Sequence, residues 1–180
     1  DLAENRLEFH RRNAENWRVT LVDTGENSMT GGRLKRVAPY LRDEEAFCFT
    51  YGDGLTNHDI RATIDFHRSH GRLATVTAVR PPARFGALQF TGDDVHGFVE
   101  KPEGEGGFIN GGFFVLSPGC LDWIDGDSAV WEREPLSGIA EAGQLKAYFH
   151  EGFWQPMDTL RDKILLENLW ESGNPPWKVW

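Results

Sequence analysis

The sequence predicts a single α/β domain over residues 1–180, with a mixed, mostly parallel β-sheet covered by helices. In the first half of the chain, strand and helix patterns alternate in the order of a βαβ unit, which is typical of parallel sheets. In the second half, two short apolar segments flank Gly92-Asp93-Asp94 and predict a hairpin. A chain of 180 residues is also long enough to bury one hydrophobic core.

Hydrophobic spacing predicts the elements of the first half. Apolar residues alternate with polar ones in half-buried strands, recur every three or four residues in helices, and run continuously in strands buried on both faces. The predicted elements are a half-buried strand at 17–22, a short helix at 34–41 that contains Pro39, a strand buried on both faces at 46–50, a helix capped by Asn57 that ends at Gly71, and a strand at 73–79.

The same rules, together with proline and glycine positions, predict the elements of the second half. They are a hairpin of 86–90 with 95–99, a strand at 112–116, a short helix near 120–124, a helix with Pro135 in its first turn that ends at Gly143, a strand at 145–149, and a helix from Thr159 that residues 173–175 stop. We expect these elements to form one domain with no internal linker.

Composition excludes several classes of protein. The net charge of -9 argues against nucleic-acid binding, and no apolar run is long enough to cross a membrane. Two cysteines are too few for a disulfide scaffold. The chain begins at Asp1 without an initiator Met or a signal segment, so we expect it to be the C-terminal portion of a longer cytoplasmic protein.

Two aspartates are candidate metal ligands. Asp53 follows a predicted buried strand and has a glycine on each side, and ligands of open α/β sheets bind beyond the carboxyl ends of strands. Asp158 stands directly before the last predicted helix. Carboxylates of this kind suit Mg²⁺, which usually takes one or two of them together with substrate phosphates. The alternatives are a turn residue for Asp53 and a helix N-cap for Asp158.

Three further segments are candidates for binding a phosphorylated ligand. Glu100 and Lys101 end a predicted strand before a proline, and a lysine there suits a phosphate, although a solvated strand end is the commoner case. The segment from Thr30 to Arg33 could offer backbone N–H groups and a guanidinium to an anion. Asn110 could reach a sugar hydroxyl, or it could belong to a turn.

Seven segments, in this order along the chain, together resemble the sugar-nucleotide pyrophosphorylases. The last four narrow the resemblance to the glucose-1-phosphate cytidylyltransferases, and it runs along essentially the whole chain. The segments are Trp-Arg-Val-Thr-Leu-Val-Asp-Thr-Gly at 17–25, Met-Thr-Gly-Gly-Arg-Leu-Lys-Arg-Val at 29–37, Thr-Tyr-Gly-Asp-Gly at 50–54, Arg-Phe-Gly-Ala-Leu at 84–88, Glu-Lys-Pro at 100–102, Ile-Asn-Gly-Gly-Phe-Phe-Val at 109–115 and Gly-Phe-Trp-Gln-Pro-Met-Asp-Thr-Leu-Arg-Asp-Lys at 152–163.

The resemblance implies a three-layer nucleotidyltransferase fold, Rossmann-like and of the GT-A type. It implies transfer of a cytidylyl group from CTP to α-D-glucose 1-phosphate with Mg²⁺, by a homo-oligomer, for the deoxysugars of surface polysaccharide. It also implies a role for each matching residue. Asp53 and Asp158 would bind the metal, Glu100 and Lys101 would hold the sugar phosphate, and Asn110 with Gly111 would contact the sugar. The contacts with the nucleotide would come from Gly32, Arg33, Tyr51 and Gly52.

The family pattern opens with a strand and a Gly-Gly-x-Gly-Thr-Arg-Leu loop that cradles the triphosphate, and this loop does not occur in these 180 residues. Two other functions therefore stay open. One is a non-catalytic homologue that only binds or assembles. The other is a glycosyltransferase of the GT-A type, although such an enzyme would carry Asp-x-Asp after a buried strand, where this chain has Gly52-Asp53-Gly54.

Overall fold

A computed structural model describes residues 17–82, 87–91, 93–99 and 107–179, and it confirms an α/β fold with a mixed sheet. The helices are α1 (Thr30–Arg36), α2 (Ile60–His70), α3 (Glu134–Glu141) and α4 (Leu160–Glu171), with 3-10 turns at Ala38–Tyr40 and Pro118–Trp123. The strands are β1 (Phe47–Thr50), β2 (Gly54–Thr56), β3 (Ala74–Val79), β4 (Ala87–Thr91), β5 (Asp94–Val99), β6 (Ile109–Leu116), β7 (Leu145–His150) and β8 (Trp154–Pro156). None of the described helices is long and apolar enough to span a membrane.

The main sheet has four strands in the order β1-β6-β3-β7. β3 pairs with β7 in parallel, whereas β6 lies antiparallel between β1 and β3. Three of the four strands therefore point the same way, although β1 and β3 are not neighbours as a simple βαβ unit would have them. This order brings the carboxyl ends of β1 and β3 and the amino end of β6 to the same end of the sheet.

Strand β1 differs from its prediction as a strand buried on both faces. Phe47 and Phe49 pack against the hydrophobic core, but Cys48 and Thr50 on the other face are exposed. The reason is its position, because β1 is an edge strand among the described residues, and the side chains on the outer face of an edge strand have few neighbours. The continuous apolar run indicated the strand correctly and its surroundings wrongly.

The strand predicted at 17–22 is wrong for this structure. The segment has no regular secondary structure, and Trp17, Val19 and Leu21 are 77%, 70% and 86% exposed. Among the described strands none pairs with it. Alternation indicates an amphipathic strand only when a partner strand and a core face are available.

The core lies between the β1-β6-β3 face of the sheet and the segments from Pro118 to Glu141. Its largest fully buried side chains include Trp131, Leu116, Leu121, Ile124 and Ile139. Phe49, Phe114 and Trp131 meet edge to face or tilted, with ring centroids about 6 Å apart. This packing fixes the strand ends that carry the candidate site.

Two short strands, β2 and β8, pair antiparallel outside the main sheet. Each has three residues, too short to show an alternation pattern, and neither was predicted. Gly54 lies opposite Pro156, and Leu55 lies opposite Gln155. The pairing brings the chain just after β1 beside the chain just before α4, which is where the two candidate metal ligands stand.

Candidate functional site

A cavity of about 310 Å³ opens at the end of the main sheet where β1 and β3 finish and β6 begins. Its walls come from the chain after β1, the chain after β3, the start of β6 and the β8 strand. The lining residues are Tyr51, Asp53, Gly54, Pro81, Pro82, Ile109, Asn110, Gly111, Gly112, Trp154, Pro156 and Asp158. Five of the residues predicted from the sequence, namely Tyr51, Asp53, Asn110, Gly111 and Asp158, therefore line one cavity.

Asp53 and Asp158 reach this cavity through the β2–β8 pairing. The N–H of Met157 donates to the main-chain carbonyl of Asp53 at 2.8 Å, so Asp158 follows the residue bonded to Asp53. Both aspartates are exposed and both line the cavity. Two distant parts of the sequence thus supply carboxylates to one wall, and their sharing of a metal ion stays a prediction.

The structure removes the competing interpretation of Asp158 as a helix cap. The N-cap of α4 is Thr159, whose hydroxyl accepts from the N–H of Asp162, and the Asp162 carboxylate accepts in return from the Thr159 N–H. This reciprocal pair is a capping box. Asp158 lies one residue outside it, at the cavity wall.

The residues present fit a divalent cation of the Mg²⁺ type. Such an ion usually keeps several water molecules and takes one or two carboxylates together with substrate phosphates. Asp53 and Asp158 supply that number. Within the described part of the chain no group of three or more His, Cys, Asp or Glu side chains could hold a metal, so the remaining ligands would be water and substrate oxygens.

Tyr51 and Asn110 lie side by side on another wall of the cavity. The Tyr51 N–H donates to the carbonyl of Gly112 at 3.1 Å, and the Gly112 N–H donates to Asn110 Oδ1 at 2.8 Å. Asn110 Nδ2 lies 3.5 Å from the Tyr51 hydroxyl. Asn110 belongs to β6 and not to a turn, so its side chain has a fixed origin at the end of the sheet.

Glu132, which was not predicted from the sequence, holds the Tyr51 side chain from behind. The Tyr51 hydroxyl donates to Glu132 Oε1, and the Thr30 hydroxyl donates to Glu132 Oε2 at 3.0 Å. Burial and this hydrogen bond raise the pKa of the Tyr51 phenol well above its ordinary value. No local pattern distinguishes Glu132 from its exposed neighbours at 133 and 134, so the contact needs the fold to be seen.

Two backbone N–H groups of α1 that were predicted to face an anion have main-chain partners in the structure. The N–H groups of Gly31 and Gly32 donate to the carbonyl of Ala129 at 2.9 and 3.2 Å, so they are occupied. A Cβ on Gly32 would collide with the main chain of Asp127. Close packing of α1 on residues 127–129 thus accounts for a glycine at position 32, and its contact with the nucleotide stays a prediction.

Arg33 and Gly52 remain available for the nucleotide-side roles predicted for them. Arg33 is exposed and donates to Thr24 Oγ1 at 2.9 Å and to the carbonyl of Glu26 at 3.1 Å. It lines a second cavity of about 330 Å³ beside the first. Gly52 is exposed, with open space where a side chain would be. Glu100 and Lys101 lie outside the described residues, and their roles on the sugar phosphate stay predictions.

Trp154 is a further lining residue that the sequence did not single out. Its indole N–H donates to the carbonyl of Gly111 at 2.8 Å, which ties β8 to the start of β6 across the cavity. Pro81 and Pro82, which follow β3 after one residue, complete that side. The seven tryptophans of the chain give no local sign of which one faces a cavity.

Comparison with known proteins gives one family and several relatives. A profile of the family described as nucleotidyl transferase matches residues 3–155. The chain is 62% identical over 179 residues to the glucose-1-phosphate cytidylyltransferase of Salmonella typhimurium, which covers 99% of this chain and 70% of that protein. It is 39% identical over 167 residues to a probable glucose-1-phosphate cytidylyltransferase of Bacillus subtilis, covering 92% of this chain and 65% of that protein.

Among solved structures, the chain resembles HddC from Yersinia pseudotuberculosis with a TM-score of 0.65. The sequence identity is 23%, and the match covers 86% of this chain and 68% of that one. At this identity the likeness concerns the fold alone. It agrees with the mixed sheet and its flanking helices.

Proposed function

The chain belongs to the nucleotidyl transferase family, and on that premise we propose that it transfers the cytidylyl group of CTP to α-D-glucose 1-phosphate, with release of pyrophosphate. The substrates are those in the names of its relatives in Salmonella and Bacillus. The observation that carries the chemistry is the single cavity on which Asp53 and Asp158 converge beside Tyr51 and Asn110. The family profile and the relatives confirm, at the level of the family, the resemblance seen in the sequence alone.

The reaction is a displacement at phosphorus. A phosphate oxygen of glucose 1-phosphate attacks the α-phosphorus of CTP, a new P–O bond forms, and the bond to the leaving pyrophosphate breaks. That oxygen is already ionised at neutral pH, so the protein needs no general base for it. Catalysis then consists mainly of alignment and charge neutralisation, as in other phosphoryl transfers.

Charge repulsion is the main obstacle in this acidic chain. Two unit anions 4 Å apart repel by about 4 kcal/mol at an effective dielectric near 20, and these phosphates carry several charges. Nucleotidyl transferases generally use a divalent metal, and we propose that Asp53 and Asp158 hold Mg²⁺, which would neutralise part of this charge. Arg33 would act on the nucleotide side, and Glu100 and Lys101 would hold the sugar phosphate.

Asn110, with Gly111 beside it, would contact the sugar. Its Oδ1 accepts from Gly112, while its Nδ2 faces the Tyr51 hydroxyl at the cavity wall. We further propose that the protein is a cytoplasmic homo-oligomer and that CDP-glucose serves deoxysugar synthesis for surface polysaccharide. Three exposed apolar side chains of α4, Leu160, Ile164 and Trp170, are compatible with such an assembly.

The test uses an active form of the chain. The opening strand and glycine-rich loop of the family pattern, joined ahead of Asp1, supply the triphosphate cradle. We expect this fusion to release pyrophosphate from CTP with glucose 1-phosphate and to form CDP-glucose, detected by mass. Residues 1–180 alone should give no turnover, because they lack the cradle. A folded fusion that makes no CDP-glucose would contradict the proposal.

The metal ligands are tested in the same fusion. Asp53→Asn and Asp158→Asn should each lower kcat at least 100-fold, because the divalent ion loses one of two carboxylates. Asp43→Asn is the matched control, because Asp43 is exposed and does not line the cavity. Binding of Mn²⁺, followed by its paramagnetic effect on water relaxation, should weaken in the two site variants only. Unchanged Mn²⁺ binding in both would contradict the assignment.

A further inference from the structure

We propose that Glu132 is a positioning residue that fixes the Tyr51 hydroxyl as a hydrogen-bond acceptor toward the substrate, an inference that rests on the proposed function. The ligand group it would recognise is a neutral donor, either a sugar hydroxyl or the exocyclic amino group of cytosine. Both substrates of the proposed reaction carry such a group.

Tyr51 stands where the two cavities meet. It lines the first cavity with Asp53 and Asn110. It also lines the second cavity, whose other walls include Thr24, Thr30 and Arg33. A ligand that spans both cavities would therefore pass along this side chain. In the proposed reaction the sugar phosphate and the nucleotide must come together at such a junction.

The ring of Tyr51 is held on several sides. Phe49 meets it edge to face with centroids 5.9 Å apart, and Phe114 lies at 6.0 Å. Gly112 packs against the ring so closely that a Cβ there would lie 2.7 Å from Tyr51 Cδ2. With the ring fixed, the position of the hydroxyl oxygen is fixed, and what remains to be set is the direction of its proton.

Glu132 sets that direction because a carboxylate can only accept. Its Oε1 accepts from Tyr51, and its Oε2 accepts from the Thr30 hydroxyl at 3.0 Å. Thr30 is oriented in turn, since its oxygen accepts the N–H of Trp131 at 2.9 Å. Both carboxylate oxygens are therefore engaged by donors on two different elements, the end of β1 and the start of α1.

The consequence lies on the cavity side. A phenol that donates its only proton to Glu132 keeps lone pairs and no donor for a ligand. The amide of Asn110, 3.5 Å away, also approaches the phenol as a donor. Tyr51 would thus accept from a hydroxyl or amino group and would give no hydrogen bond to a phosphate oxygen.

The experiment is a double-mutant cycle in the fusion protein with Glu132→Gln, Tyr51→Phe and the double variant. A glutamine amide can donate to the phenol, which releases the constraint while keeping the shape. We expect each single variant to lower kcat/KM about tenfold, the size of one lost hydrogen bond, and the double variant to lose no more than either. Glu134→Gln, an exposed neighbour at the start of α3, is the control and should have no effect.

Two arms identify the donor. If it is a sugar hydroxyl, the variants raise KM for glucose 1-phosphate and leave KM for CTP unchanged, and a deoxyglucose 1-phosphate that lacks that hydroxyl is equally poor with wild type and variant. If it is the cytosine amino group, the preference for CTP over UTP falls instead. Multiplying losses in the double variant, or all parameters within twofold in Glu132→Gln, would overturn the proposal.

A double-mutant cycle on stability separates this inference from the proposed function, because it needs no activity. In urea unfolding of residues 1–180, Glu132→Gln and Tyr51→Phe should each lower the unfolding midpoint, and the double variant should lower it by clearly less than the sum of the two. If Glu132→Gln unfolds the chain, Thr30→Val, which removes the other donor to Glu132, is the second variant and should be coupled to Tyr51→Phe in the same way. Additive losses in folded variants would overturn the proposal.

Discussion

His58 should make the folded chain sensitive to mild acid. It lies before α2 and is only 7% exposed, with its ring against Phe113 at 4.9 Å and His150 at 5.9 Å. Its Nδ1 is buried without a hydrogen-bond partner among the described residues. Burial, and secondly the nearby His150, lower the pKa of His58 to about 4, while Asp59 opposes the shift.

The sign and size follow from linkage. An unfolded histidine has a pKa near 6.5, so below that pH the unfolded chain binds a proton that the folded chain refuses. Above pH 6.5 His58 is neutral in both states and does not lower the free energy of unfolding. As the pH falls from 6.5 toward 4, protonation of His58 in the unfolded chain lowers that free energy progressively. One pKa unit corresponds to about 1.4 kcal/mol, so the loss from this residue at pH 5 is about 2 kcal/mol.

The assay is urea unfolding of residues 1–180 at pH 7.5 and at pH 5, for wild type and His58→Phe. The phenyl ring keeps the packing on Phe113 and cannot take a proton. We expect the variant to lose about 2 kcal/mol less than wild type between the two pH values. His96→Gln, at an exposed position of the β4–β5 hairpin, should lose as much as wild type.

An equal pH-dependent loss in His58→Phe and wild type would refute this account, because the proton would then be binding elsewhere. Two other histidines, the buried His67 and the half-buried His70, test the specificity of the effect. The pKa values of His67 and His70 are also lowered, chiefly by burial, and the two rings meet at the hydroxyl of Thr75 at 2.9 and 2.8 Å. Their share of the acid sensitivity should persist in His58→Phe.

Three further predictions concern packing, capping and the sugar phosphate. Gly32→Ala should destabilise the fold by about 2 kcal/mol or more in urea unfolding, because its Cβ meets main-chain atoms of Asp127. Gly126→Ala is the control: no described atom lies within 4 Å of its added Cβ, and it should cost less than about 1 kcal/mol. Thr159→Ala should cost about 1 kcal/mol by removing the cap of α4, measured in the same way. Lys101→Ala should leave the melting temperature unchanged and lower kcat/KM for glucose 1-phosphate by the equivalent of about 2–4 kcal/mol. A decrease in kcat/KM of less than about threefold would show that Lys101 is only a solvated lysine.

The sequence was informative where local chemistry decides the outcome. Proline and glycine marked two helices correctly: α3 carries Pro135 in its first turn, and α2 ends at Gly71 with φ of 61°. The helix predicted at 34–41 was placed wrongly, because α1 spans Thr30–Arg36 and Pro39 lies in the 3-10 turn that follows. The helix caps were harder to assign. Asp59, and not Asn57, caps α2, because an N-cap depends on which side chain reaches a free N–H and several neighbours qualify.

Contacts between distant segments were beyond reach of the sequence. β2 and β8 have no pattern of their own, yet their pairing explains why Asp53 and Asp158 line the same cavity. Glu132 reaches Tyr51 across 81 positions of sequence. The family resemblance supplied the two aspartates without explaining their proximity, and it supplied nothing about Glu132. In physical terms, tertiary hydrogen bonds leave no periodic trace in the sequence.

The register of β1 on β6 links these contacts to one glycine, and it leads to a last prediction. Thr50 lies opposite Phe113, so Tyr51 comes opposite Gly112, which has φ of 77° and no room for a side chain. Gly112→Ala should therefore strain the backbone and push the Tyr51 ring away from Glu132.

We expect this variant to lose about 1–3 kcal/mol in urea unfolding. Because the hydrogen bond between Tyr51 and Glu132 lengthens, Tyr51→Phe should cost less stability in the Gly112→Ala background than in wild type. Gly107→Ala, where no described atom lies within 4 Å of the added Cβ, is the matched control. If Tyr51→Phe cost the same in both backgrounds, the glycine would serve the backbone turn alone, and the position of Tyr51 would not depend on it.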